Sequence, residues 1–319
     1  MSEVPSEILV AGEALIDFVE RPCGDRTAFF PSPGGSPMNV AIGLARLGVP
    51  TGFFARLSTD AFGEMLCRHL DGNGVAMDYV LRGDGPSTLA FVVEREEQEP
   101  GYAFYGEGAA DRQVAPSDLP VAFPDTLRAI HVGSYSLTVE PIGEALSILV
   151  DREKDRLVSL DPNVRPSLVG DRETYRRRLE RWIARSDVVK LSRFDAEWVW
   201  PGEDPDGLAR EWIGDSCALV VLTDGAGPVT GRTASGCAEV TAAEAVVVDT
   251  IGAGDAFTAG LLCWLRDDGV LEADAIGRLS EPRLRDALDF ASGVAAATCG
   301  RLGADPPTRA SLRSERPVR

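Results

Sequence analysis

Lysine is nearly absent from the 319 residues: only Lys154 and Lys190 occur, and neither follows a glycine, so the G-x-x-x-x-G-K-[ST] phosphate loop is excluded. Histidine is as scarce. His69 and His131 lie far apart, which removes a two-histidine metal helix. The six cysteines, Cys23, Cys67, Cys217, Cys237, Cys263 and Cys299, form no C-x-x-C pair and sit among apolar residues, the pattern of reduced core thiols rather than a disulfide framework. No apolar run reaches the roughly 18 residues of a membrane span. The first residues, MSEVPSE, carry no positive region or apolar stretch, so no signal peptide is read there, and a cytoplasmic protein is expected. Positive charge is also short. With 32 Lys and Arg against 50 Asp and Glu the net charge is −18, which argues against nucleic acid or an anionic membrane as partner.

What remains is a globular composition, 44% hydrophobic and 26% charged, with 33 Gly and 21 Pro. Short apolar runs alternate with helical patterns. ILVAG at residues 8–12 suits a buried strand, and PMNVAIGLARLG places Val40, Leu44 and Leu47 at helix spacing, with Gly48 as the stop. TGFFARLS, RAIHVGS and LVSLDPN read as strands. AFGEMLCRHLDGNG, IGEALSILVDREK and TYRRRLERWIARS read as helices, and DVVKLS, DAEWVW, ALVVLTDG and AEAVVVDT follow. This rhythm predicts an α/β fold with a doubly wound, mostly parallel sheet, whose ligands bind at the carboxyl ends of the strands. Two stretches interrupt it, at about 13–35 and 86–108, where β-type runs such as LAFVVERE and GYAFYGE stand between Gly and Pro. They predict a small antiparallel sheet over one end of the large one, within a single domain spanning 1–319. The tail after Asp305 is expected to fray.

The segment richest in chemistry is AVVVDTIGAGDAFTAGLLCWL, residues 245–265. A strand, AVVVD, is read as running into Gly252-Ala253-Gly254 and then into a helix from Asp255. The unpaired N–H groups of the first turn and the helix dipole make an anion site. An ordinary Asp-capped helix, with the cap worth about 1 kcal/mol, fits these residues as well. A dinucleotide turn does not, because Phe257 stands where its third glycine belongs.

DTIGAGDAFTAG is similar to the C-terminal signature of the PfkB, ribokinase-like, family of sugar kinases, and Gly34-Gly35-Ser36-Pro37-Met38-Asn39-Val40-Ala41 resembles its N-terminal signature. GEALIDF, FYGEGAADR, HVGSYSL, DPNVRP and LTDGAG agree with it, most in the manner of bacterial fructokinases, and the resemblance spans roughly residues 8–309. It implies a ribokinase-like fold with the small sheet as a lid, and ATP-dependent phosphoryl transfer to a sugar hydroxyl. The acceptor it favours is fructose. 2-Keto-3-deoxygluconate kinase, which shares DPNVRP, or another ribokinase-like kinase is the alternative. A non-catalytic sugar or nucleotide sensor would be marked by loss of Asp255 or its glycines, and both are present.

In those terms Asp255 is the general base, the amides of Gly252, Ala253 and Gly254 the anion hole, and Arg165 the partner of phosphate oxygens. Asp17, Gly34, Gly35, Asn39, Tyr105 and Asn163 would meet the sugar. The bland readings of Asp17 as a turn acid and Arg165 as a surface ion pair stay open. Thr223, Gly225 and Gly227 resemble a nucleotide loop, shortened here to TDGAGP, and Ser192 opens the nucleotide-side element Ser192-Arg193-Phe194-Asp195. Asp195 or Glu197 would organise Mg²⁺ arriving with ATP, and Asp249, Ile251 and Gly303 resemble loops that hold K⁺. Gly106 follows Tyr105 where acid-sugar kinases often carry Arg, which favours a neutral sugar; Arg112 and Arg165 could still compensate. A homodimer is compatible with the resemblance.

Overall fold

Nine strands form the frame of the molecule, and the central parallel ones are buried on both faces, as expected of a sheet covered by helices on either side. The computed structural model describes residues 5–93, 101–243 and 245–315. Along the chain, β1 (Ile8–Ala11) leads into β2 (Leu15–Cys23) and β3 (Arg26–Gly34), then α1 (Ser36–Arg46), β4 (Thr51–Ser58), α2 (Ala61–Gly72) and β5 (Val80–Gly83). β6 (Leu89–Val93) and β7 (Gly101–Tyr105) precede the alternating run β8 (Ala129–Gly133), α3 (Ile142–Arg152), β9 (Leu157–Asp161), α4 (Arg172–Ile183) and β10 (Val188–Ser192). Helices α5 (Arg193–Val199) and α6 (Pro205–Asp215) lead to β11 (Leu219–Thr223), β12 (Pro228–Thr233) and β13 (Gly236–Thr241). The chain closes with α7 (Ala253–Asp267), α8 (Ala273–Gly277), α9 (Glu281–Cys299) and α10 (Arg309–Glu315).

The large sheet runs β13-β12-β11-β10-β9-β8-β1-β4-β5, parallel except at β11-β12-β13. One apolar layer, including Met38, Val40, Leu44, Phe257 and Leu261, packs α1 and α7 on one face; the other, including Leu146, Leu149, Trp182 and Val199, packs α3 to α5 on the opposite face. The interrupted stretches pair as a separate sheet, β3-β2-β6-β7, joined through parallel β2-β6. Residues 94–100, within the second stretch, lie outside the described residues.

Two local readings are corrected and one run is assigned. AVVVD is not a strand: β13 ends at Thr241, and Val246, Val247 and Val248 are 87%, 62% and 56% exposed, with the Val248 N–H donating to the Cys299 carbonyl. The β-branched residues there stand outside both sheets and face outward. DAEWVW forms most of α5, capped by Ser192. The tail after Asp305 does not fray through 315: Pro306 and Pro307 are buried, and Arg309 of α10 donates to the Leu47 carbonyl. All six cysteines are free, but only Cys217 and Cys263 are buried. Among the described residues no helix is long and apolar enough to cross a membrane.

Candidate active site

α1 and α7 start side by side, so their first turns meet across a short polar gap. Asp255, 6% exposed in α7, accepts Ser36 Oγ on Oδ1 at 2.6 Å and Asn39 Nδ2 on Oδ2 at 2.8 Å. Burial raises its pKa above the usual carboxylate range; those two bonds oppose the rise, the Asp161 charge adds to it, and the Lys190 ammonium lowers it. Both oxygens are therefore fixed in direction while the group stays basic. Ser36 carries no functional signal of its own in the sequence, although it stands inside the Gly34–Ala41 motif.

The turn ahead of α7 depends on Gly252, at φ +77°, where a Cβ would come 2.6 Å from that of Ala304. The Ala253 N–H donates to the Thr250 carbonyl at 3.2 Å, closing this turn, so it is not open to an anion as the sequence reading had it. The Gly254 N–H has no partner among the described residues, as expected of a helix's first turn. Directly beside Gly254 lies Lys190: a Cβ on Gly254 would be 3.0 Å from its Nζ. Lys190 pairs with Asp161 at 2.9 Å, their side chains 8% and 0% exposed, and Asp161 also accepts Thr258 Oγ1 at 3.2 Å. In sequence Lys190 looks like an interruption of an apolar strand. Only the fold brings it beneath the helix start.

On the other side of Asp255 stand β2 and β3. A Cβ on Gly34 would fall 2.1 Å from Asp17 Oδ2, so the glycine makes room for that carboxylate, and Gly35 turns the chain at φ +106°. Asp17's pKa is raised to about 7 by burial, against the pull of Arg165 and with the push of Asp255, so these three groups share one electrostatic environment. Asn163, at φ +39°, donates its N–H to Asp161 Oδ1, and Arg165 Nη1 donates to the Val164 carbonyl at 3.2 Å. Tyr105 ends β7, 64% exposed, with its ring edge-on to Phe91.

Ser192 and Thr223 are register partners at the carboxyl ends of β10 and β11. TDGAGP bends straight back into β12, with the Gly227 N–H on the Asp224 carbonyl at 2.6 Å and Gly225 at φ +54°. The two acids of the next element separate. Asp195 is 6% exposed, and burial, with Asp161 nearby, raises its pKa to about 6. Glu197 is exposed and accepts the Gly202 N–H at 3.2 Å, which takes it away from the cluster. Asp249 gathers the third loop: Oδ1 accepts the Ile251 N–H at 3.0 Å, while Oδ2 accepts the Gly303 N–H at 3.0 Å and Arg21 Nη2 at 3.2 Å. Among the described residues no three His, Cys, Asp or Glu side chains cluster as a metal site.

The family model for pfkB carbohydrate kinases matches residues 6–310. The chain belongs to this family. Within it, the chain is 40% identical over 285 residues to the fructokinase of Rhizobium leguminosarum bv. trifolii, covering 88% of this chain and 86% of that one. The fructokinase from Xylella fastidiosa, solved with bound ATP, superposes with a TM-score of 0.86 at 30% identity, covering 96% and 97% of the two chains. A double mutant of the fructokinase from Vibrio cholerae O395, in its fructose, ADP and potassium ion bound form, gives 0.84 at 26% identity, with 98% and 99% covered. The protein is thus an ATP-dependent sugar kinase of the pfkB family with the ribokinase-like fold.

Proposed function

We propose that this pfkB kinase transfers the γ-phosphoryl group of ATP to a hydroxyl of fructose. The observation that carries the reading is the Asp255 carboxylate, aimed by Ser36 and Asn39 at the start of α7, with Asp17 close enough to feel its charge and that of Arg165. Asp255 takes the proton of the sugar hydroxyl, the oxygen forms its bond to the γ-phosphorus, and the bond to the leaving ADP oxygen breaks. A base raised above the usual carboxylate range is suited to that proton. The amides of Gly252 and Gly254 meet the charge on the phosphoryl oxygens, with Arg165 pairing from the other side. Asp17, Asn163 and the Gly34-Gly35 backbone hold the ring, with Asn39 shared between the ring and the base. The small sheet, with Tyr105 at its rim, covers the sugar as a lid within one domain.

Ser192, Thr223, Gly225 and Gly227 line the nucleotide side. Mg²⁺ would arrive with ATP and neutralise phosphate charge, keeping most of its own waters. Asp195, buried beside Asp161, would hold one of those waters. Asp249 fits a monovalent cation less well. Both its oxygens are engaged, one of them by the Arg21 guanidinium, so a K⁺ at this loop would rest on backbone carbonyls and share the place with a positive charge. Unpaired cysteines and ATP use suit a reducing cytoplasm, and Phe29 and Phe30, 40% and 50% exposed on β3, offer apolar surface for a homodimer.

An acidic sugar would need a cation facing its carboxylate, because an unpaired buried carboxylate costs several kcal/mol. The lid position for it is Gly106. Arg112 reaches that place, but its Nε and Nη2 are buried beneath the sheet. ADP release measured side by side on fructose, ribose and 2-keto-3-deoxygluconate tests the reading. Fructose should lead the acid sugar in kcat/KM by at least about tenfold; a better rate on the acid sugar overturns it.

A further inference from the structure

Apolar contact between the four-stranded sheet and the large one falls in two places. Ile16, with Phe18 and Leu89 beside it, joins the core over α1 and α7, and a separate small patch has Leu15, Ala90 and Tyr135 as its buried members among the described residues. Apolar contact is non-directional, so neither place fixes the angle between the sheets by itself. A buried polar chain stands at the same junction. Asp111, 2% exposed, accepts Thr88 Oγ1 at 2.7 Å and the Tyr135 hydroxyl at 2.5 Å. The guanidinium of Arg112, its neighbour, lies over the Tyr135 ring, 5.1 Å from its centroid, and a Cβ on Gly106 would come 2.5 Å from Nη2. On the far side of Tyr135, Ser136 donates to Glu13, and the Glu13 carbonyl backs Gly35, where a Cβ would be 3.0 Å away.

These contacts fall at the four places where the chain passes between the sheets. Glu13 precedes β2, Gly35 follows β3, Thr88 precedes β6 and Gly106 follows β7. A carboxylate accepting two hydroxyls fixes directions that apolar contact does not, and burying it is costly unless those partners are present. Arg112 Nε and Nη2 have no hydrogen-bond partner among the described residues, so that guanidinium is held by packing and by the Asp111 charge rather than by its own bonds.

We propose that Asp111 is a positioning residue which, through Thr88 and Tyr135 and with Arg112 against Gly106, clasps both hairpins and sets the pose of the small sheet over the sugar site. The clasp itself is independent of the substrate; only its effect on sugar binding rests on the fructose reading.

Hydrogen exchange followed by mass spectrometry on the unliganded full chain tests it, with wild type, Thr88→Val, Thr88→Ser and Tyr135→Phe. Removing either hydroxyl should speed exchange in both hairpins, β2-β3 as well as β6-β7, while the strands of the large sheet keep wild-type protection. Thr88→Ser keeps the hydroxyl and should behave as wild type. In ADP-release assays Thr88→Val and Tyr135→Phe should raise the KM for fructose about fivefold, the factor for one net hydrogen bond, and leave the KM for ATP unchanged. Faster exchange confined to the substituted hairpin, or loss of protection throughout the molecule, overturns the clasp. If Thr88→Val does not fold, Thr88→Ser and Tyr135→Phe still decide. Wild type inactive on fructose would overturn the substrate reading alone, since the exchange result stands without turnover.

Discussion

Ser36 Oγ donates to Asp255 Oδ1 at 2.6 Å, joining residues 219 positions apart. One oxygen of the base is thereby held by a hydroxyl from α1 and the other by the Asn39 amide from the same helix turn. The base is aimed by the N-terminal half of the chain although it belongs to the C-terminal half.

Asp255→Asn should fold and lose turnover by about 10²–10⁴, the range for a positioned base. Ser36→Ala leaves the base in place but frees one oxygen, and should lower kcat by about tenfold, as for one bond to a charged group. Steady-state kinetics with matched melting temperatures check both. An Asp255→Asn variant above a tenth of wild-type turnover removes Asp255 as the base.

Gly254→Val should impair catalysis as badly as loss of the base. Its Cβ would stand 3.0 Å from Lys190 Nζ, so either the first turn of α7 or the Lys190–Asp161 pair must shift. Wild-type kinetics for this variant would show the turn to be structural only.

Activity and stability should respond to pH in opposite directions. kcat/KM is expected to decline as pH falls through about 7, where Asp17 takes a proton, Asp255 being raised in the same sense. Burial also raises Glu13 to about 7 and Asp195 to about 6. Above the unfolded carboxylate value of about 4 the native chain therefore binds more of these protons than the unfolded one, and stability declines as pH rises through that window. His131, lowered to about 4 by burial, acts against the three acids. The unliganded protein should melt higher at pH 6 than at pH 8, by scanning fluorimetry; the reverse order would mean these acids are not buried as described.

Replacing KCl by tetramethylammonium chloride should change wild-type ADP release by no more than about twofold, since a carboxylate already paired gives the ion little differential affinity. Arg21→Ala should then become K⁺-responsive, in rate and in melting temperature. Strong K⁺ stimulation of the wild type would mean that Arg21 does not replace the ion.

Strands and helices of the large sheet were legible because each lies in a short apolar run or an amphipathic period, signals that a neighbour in sequence is enough to create. TGFFARLS is β4 to the residue. The glycines and Asp255 were legible for the same reason, since a sharp turn into a helix is local. AVVVD misled because β-branched composition records a preference for a pleated surface, and residues 245–249 do not join one in the fold. Lys190 beside Gly254, Glu197 turned to Gly202, Arg21 on Asp249 and the grip of Asp111 on Thr88 and Tyr135 were decided by tertiary structure alone. A buried charge must be neutralised or hydrogen-bonded by whatever group the fold brings to it, and that partner lies on another element, at a distance along the chain no local pattern encodes.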